Sequence, residues 1–410
     1  MLSQFIGFLN KPLRPPLIKH TYSKEIEQYR GLCALMVMVS HGFVHPEMLV
    51  NNFKWPVYLE YIGAGFLSVL IFFCISGYVI GINYDRSHFS IKDYLKKRAV
   101  RLYPIYIFAI ILCVIVTGGV SFFLLSGNVL FLQNEFPYVH FNVPVYLNYV
   151  SWSLNYEVVY YLLFIALFYL RPKVWVLLSG LLILSLLFMH ASTPFIFFSN
   201  YVNGFYFWLA GLLIAWGFFN GKTDKNISVP LISLLFLHLC QAYLGIGVII
   251  LHIVYIYATT GLNWLFDLPF CIMIICILTG KDNIFLRFNK IFCYVIPAFV
   301  FAYLLLNQRL FENERWIMCF IFWILSLAFY FEKKISAFLL NKLTYVGHIS
   351  YALYLFHVPV ALLVRKFVFI SDPKVEIPVK YFLWFSITFI LAIFLELKVQ
   401  PVIKRYFFTK

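Results

Sequence analysis

The sequence predicts an all-α, polytopic transmembrane helix bundle of about 10–12 spans, and three observations predict it. Of its 410 residues, 63% are hydrophobic and 12% are charged. Soluble domains are nearer half apolar and a quarter charged. Apolar runs of bilayer-crossing length, about 20 residues, recur from one end of the chain to the other. Nothing alternates polar and apolar residues over strands of about ten, as a membrane β-barrel would.

Twelve apolar segments are expected, in order: 31–49, 61–83, 102–125, 151–170, 174–191, 201–219, 229–257, 263–280, 287–306, 314–331, 344–366 and 379–400. The seventh is 29 residues long and contains Gly245 and Gly247, so it reads as one tilted helix or as a helix plus a re-entrant piece. The apolar, aromatic connection 126–150 reads as lying at the interface or folding back toward the bundle. With a cytoplasmic N-terminus, 25 of the 32 lysines and arginines fall in cytoplasmic segments. Positive charge favours that side, so both termini are expected to be cytoplasmic. Residues 1–28 then form a cytoplasmic segment and 29–410 a single integral membrane domain. No cleavable signal peptide is visible, so the first span is expected to act as its own anchor in the cell inner (cytoplasmic) membrane.

The net charge of +15 follows from those basic loops. No basic stretch interleaved with aromatics on a polar face points to nucleic acid. The eight cysteines all lie in apolar runs, with no CxxC and no zinc spacing. They read as small buried hydrophobes, implying neither disulfides nor a metal site.

Ionisable side chains inside spans cost a few kcal/mol on insertion scales, so those present carry the functional argument. Arg30 and His41 are eleven residues apart on the first span. At 100° per residue they point within about 20° of each other, with a rise of roughly 16 Å. Arg30 then lies at the cytoplasmic surface and His41 near mid-membrane. The structural alternative is a snorkelling arginine and a histidine hydrogen-bonded between helices. A histidine titrating near neutrality can also take a proton from a hydroxyl. His45 lies one turn further on the same face, where it would assist or line an exit.

Three other stretches carry chemistry. Ser76, Gly77 and Tyr78 offer close helix approach or room for a ligand beside the backbone. Arg98 and Arg101, three apart on one face before the third span, are forks that match phosphate oxygens. Their alternative is a stop-transfer anchor. In SWSLNYE, Glu157 sits inside the fourth span, where it would orient a histidine or bind sugar hydroxyls. Trp152 and Tyr156 read as belt aromatics or sugar-stacking rings. GHISYALYLFH adds His348, Ser350, Tyr351 and, near mid-membrane, His357. The layout suits a donor entering from the cytoplasm and chemistry within the membrane.

Taken in order, these motifs resemble those of the acyltransferase-3 family of integral membrane O-acyltransferases, which modify surface polysaccharides and lipopolysaccharides. Arg30 to His41 is similar to the family's R-x10-H, and Ser76-Gly77-Tyr78 to its SGF/Y segment. Arg98, Arg101, Leu102 and Pro104 resemble its RxxR-(L/I)-x-P loop. Trp152-Ser153-Leu154 with Glu157 resembles WSLxxE, and Ser350-Tyr351 with Tyr354 and His357 resembles SYxxYLxH. The resemblance covers about 28–170 and 344–360.

It implies transfer of an acyl group, acetyl above all, from acyl-CoA (acetyl-CoA) to a sugar hydroxyl of a cell-envelope glycan. The donor would be a substrate, with no permanently bound cofactor. His41 would be the general base, and Glu157 would orient it or bind the acceptor. Arg98 and Arg101 would hold coenzyme A phosphates, with Arg30 adding to them or facing the pantetheine path. Ser76, Tyr351 and His357 would line the thioester channel or hydrogen-bond the sugar, and Trp152 and Tyr156 would contact the acceptor. One variant has a side chain carry the acyl group covalently first. The rival readings are a transporter or flippase for a lipid-linked saccharide and a structural membrane subunit.

Overall fold

The computed structural model of the protein describes residues 7, 9–13, 24–84, 89–134, 143–144, 148–189, 196–217, 222–223, 229–253, 262–282, 284–332 and 334–408. Residues 190–191, 218–219 and 254–257 of the expected segments lie outside that set. So do much of the N-terminal segment and most of the connection after Asn134.

Each of the twelve expected segments carries a helix. In chain order the helices are α1 (Lys24–Val44), α2 (Gly65–Asn83), α3 (Ile91–Thr117), α4 (Phe122–Val129), α5 (Trp152–Leu170), α6 (Val174–Met189), α7 (Ile196–Ala215) and α8 (Leu231–Leu244). They continue with α9 (Ile246–Ile253), α10 (Leu268–Leu278), α11 (Ile284–Leu306), α12 (Glu314–Ala328), α13 (Lys334–His348), α14 (Ser350–Phe367), α15 (Pro373–Phe394) and α16 (Gln400–Phe408). Extended pairing among the described residues is confined to two-residue pairs, Gln133–Asn134 with Val143–Pro144 and Lys222–Thr223 with Lys281–Asp282, and one bridge, Pro12 to Lys173.

Among the described residues, six helical stretches are long and apolar enough to cross a bilayer: Val57–Asn83, Ile91–Thr117, Tyr149–Leu170, Leu231–Leu251, Leu286–Leu306 and Pro373–Phe408. The chain is therefore a multi-pass membrane protein.

Local chemistry explains the breaks. Ser90 caps α3 by accepting from the Asp93 N–H, and Gly118 ends that helix in the left-handed region at φ +80°. Asp372 caps α15, with Pro373 in its first turn. Gly245, at φ +63°, divides the long seventh segment into α8 and α9. The expected segment 344–366 holds the end of α13 and α14 up to Lys366, and the two helices meet at a bend of 72°. The last long helix contains a π-helical turn, Leu395–Val399, before α16. Such turns insert one residue into the helical register.

The chain forms two compact units. One holds residues 1–26, 69–89 and 156–338. Here α2 and α7 meet through small residues: a Cβ on Gly77 would run into the Trp208 carbonyl, and one on Gly211 into the Cys74 carbonyl. Membrane helices associate by such close backbone approach, because lipid tails supply no hydrophobic drive between them. A buried network joins Ser185 to Asn203 and Asn203 to Ser199, at 2.8 and 3.1 Å.

The other unit holds residues 27–68, 90–155 and 339–410, including most of α1 together with α3, α14, α15 and α16. Its tightest crossing is Gly31 on α1 against Gly347 on α13. A Cβ on Gly31 would lie 2.6 Å from the Gly347 nitrogen and 2.7 Å from the Leu343 carbonyl oxygen. All eight cysteines are buried thiols outside any disulfide.

Candidate active site

In the second unit, α1 lies along α14, and each member of the Arg30–His41 pair meets a partner there. The Arg30 Nε donates to Ser350 Oγ at 2.8 Å, and its Nη2 donates to the Gly347 carbonyl at 3.1 Å. The His41 Nδ1 lies 3.1 Å from His357 Nε2. Ser350 and His357 are seven residues apart, about 20° short of two full turns, so they share one face of α14. The common face read for Arg30 and His41 is therefore matched by a common face on the helix beside it.

The imidazole pair fixes its own proton positions. His357 Nδ1 lies 3.2 Å from the Leu353 carbonyl, and His41 Nδ1 lies 3.0 Å from the Val37 carbonyl. A carbonyl can only accept, so each Nδ1 carries the hydrogen. His357 Nε2 then holds a lone pair and accepts from the His41 N–H, which it shares with Val37. His41 Nε2 is left as an unprotonated acceptor. His357 is fully buried, and Trp384 Nε1 donates to its carbonyl at 2.6 Å. His41 is part-exposed. Tyr149 meets it edge-on with ring centres 5.4 Å apart, and the His45 ring stacks 6.0 Å away.

A charged cluster gathers toward the Arg30 end. Arg30 pairs with Glu27 at 3.2 Å, and His348 Nδ1 lies 3.6 Å from the same carboxylate oxygen. Arg101 donates to Glu396 Oε2 at 2.7 Å, and its guanidinium sits 5.0 Å from the centre of the Tyr351 ring. The Tyr351 hydroxyl donates to the Leu102 carbonyl at 3.0 Å. Arg98 lies 6.0 Å from the centre of the Tyr94 ring. Lys404 of α16 is within electrostatic reach of Arg30, Arg98, Arg101 and Glu396. Four cations, Arg30, Arg98, Arg101 and Lys404, thus gather here with the carboxylates of Glu27 and Glu396. The π turn lies at this contact: Glu396, within it, meets Arg101, and Gln400, just after it, donates to the Val100 carbonyl at 2.8 Å, so both reach the same turn of α3.

Trp152 stacks on Phe66 with ring centres 6.2 Å apart. The remaining expected residues belong to the first unit. Ser76 donates to Glu157 Oε1 at 2.7 Å, and the Tyr161 hydroxyl donates to the same oxygen. Tyr156 is buried, its ring 4.0 Å from that of Tyr201 and nearly parallel to it. Among the described residues, no group of three or more His, Cys, Asp or Glu side chains is placed to hold a metal ion.

Sequence reasoning did not select Glu27, Glu396, Lys404 or Tyr161. The signal for Glu396 was present, because a lone acid in the final apolar segment obeys the same rule that singled out Glu157.

Fold and site together define a class: an all-helical membrane protein that keeps a histidine pair and a guanidinium cluster among its helices. Residues 23–397 match the family described as the acyltransferase domain, acyltransferase-3, and the chain belongs to that family. It is also similar to an O-acetyl transferase of Shigella phage Sf6, with 37% identity over 91 residues. That match spans 22% of this chain and 23% of the phage protein, less than a quarter of either. No solved structure matches the chain.

Proposed function

We propose that the protein transfers an acetyl group from acetyl-CoA to a sugar hydroxyl of a polysaccharide or lipopolysaccharide of the cell envelope, working as a multi-pass protein of the inner membrane. The observation that carries this reading is the His41–His357 pair, whose hydrogen bonds occupy every other ring nitrogen and leave His41 Nε2 open to a substrate. A base that is neutral and oriented before the substrate arrives is what proton removal from a hydroxyl requires.

The acceptor oxygen attacks the thioester carbonyl carbon as its proton passes to His41 Nε2. The carbon–sulfur bond then breaks, and the departing sulfur takes that proton to leave as the free thiol. An oxygen ester remains on the sugar. His357 Nε2 accepts the His41 Nδ1–H throughout and steadies the imidazolium formed between the two transfers. The cationic cluster of Arg30, Arg98, Arg101 and Lys404 supports binding of the donor's phosphates. Tyr351, in contact with Arg101, belongs with them on the donor side. Trp152 is assigned to the acceptor.

Replacing His41 with Ala tests the reading. At matched protein levels, mass spectrometry of the envelope glycan should show O-acetylation falling by about 10²–10⁴. An unchanged acetyl content would remove His41 from the chemistry and the reading with it.

A further inference from the structure

His357, fully buried, closes one side of the His41 ring. The rings bordering its other side, His45 and Tyr149, are both exposed: 47% for the His45 side chain and 37% for Tyr149. An approaching hydroxyl therefore reaches His41 Nε2 past these two. A third exposed group stands with them. The Glu47 carboxylate, 59% exposed, lies 3.2 Å from His45 Nδ1.

This rim is rigidly seated. His45 begins a short 3-10 turn, Pro46–Met48, in which Pro46 and Met48 are buried while Glu47 faces out. Arg365 donates to the Glu47 carbonyl at 2.9 Å, and the Tyr149 hydroxyl donates to Met48 Sδ. Two hydrogen bonds thus tie the turn and Tyr149 in place one helical turn beyond the base. The rim also lies beyond His41 from Arg30, at the opposite end of α1 from the guanidinium cluster.

We infer that His45, Glu47 and Tyr149 form the acceptor subsite, and that its occupant is a sugar carrying neighbouring hydroxyls. The inference rests on the acyl-transfer reading above and names the substrate side of that site. A carboxylate oriented by an imidazole accepts two hydrogen bonds from a diol. The Tyr149 ring offers a flat face to the sugar's C–H surface, which leaves the next hydroxyl against His41 Nε2. The pair holds the substrate and takes no part in proton transfer.

The test uses the full chain in detergent, acetyl-CoA as donor, and envelope glycan purified from a strain lacking the gene as acceptor. Glu47→Gln and His45→Ala should each raise the KM for glycan by tenfold or more. The KM for acetyl-CoA should stay within twofold, as should acetyl-CoA hydrolysis measured without glycan. Since both side chains are exposed, folding should be unaffected, and equal acetyl-CoA affinity checks this. An unchanged glycan KM, or a rise confined to the donor KM, overturns the subsite while leaving the transferase reading intact. If the unaltered protein transfers no acetyl group to that glycan, both readings fall.

Discussion

His357 Nε2 accepts a hydrogen bond from His41 Nδ1 across 3.1 Å, and each ring gives an N–H to the carbonyl four residues before it. Many acyl-transfer sites orient their base with a carboxylate. In the proposed reading a neutral imidazole takes that place, and it can be sealed in the protein without burying a charge.

Replacing His357 with Ala removes the acceptor that holds the His41 ring. The expected result is a 10- to 100-fold lower kcat with an unchanged KM for acetyl-CoA. His357→Gln can restore an acceptor oxygen toward His41 Nδ1, so it should recover part of the rate. Steady-state kinetics on the two variants checks both outcomes.

The Arg101–Glu396 pair is largely withdrawn from solvent, with the carboxylate side chain only 4% exposed. Glu396→Ala leaves a guanidinium without its partner and should destabilise the protein by about 3–5 kcal/mol. Replacing both with Ala should cost less than the two single changes added together. Thermal unfolding in detergent, compared across the cycle, measures the coupling.

Arg98 and Lys404 belong to the cationic cluster at the Arg30 end of the unit. Replacing either with Ala should raise the KM for acetyl-CoA, and the loss should shrink as ionic strength rises and screens the wild-type attraction. Titrating acetyl-CoA at low and high salt separates this from a packing defect, which salt would not relieve.

Gly31 lies against the backbone of α13, where neither Gly347 nor the Leu343 carbonyl can move aside freely. Gly31→Ala should therefore force the helices apart at a cost of about 1–3 kcal/mol. Lower yield and a lower unfolding temperature are the expected readouts, with Gly7→Ala, a site with open space around it, as the control.

The helices were legible because apolar runs of bilayer length announce themselves in composition. The common face of Arg30 and His41 was legible because it depends on helical period alone. Their partners were not, since which helix lies beside α1 is decided by long-range packing. The Gly31–Gly347 crossing and the Arg30–Ser350 bond are products of that choice. The segment 344–366 read as one apolar segment, because hydropathy does not register a change of direction at Ile349. Arg101 read as an open fork for phosphate, whereas Glu396, 295 residues later, already engages it. Only the folded chain brings those two together.

The widened turn at Leu395–Val399 acts as a phase adjustment near the end of the chain. Were those residues wound as ordinary α-helix with none removed, everything beyond the turn would swing by about 100°. Lys404 would then rotate away from the arginines. One extra residue thus decides which charges the end of the chain turns toward α3, without altering any of them.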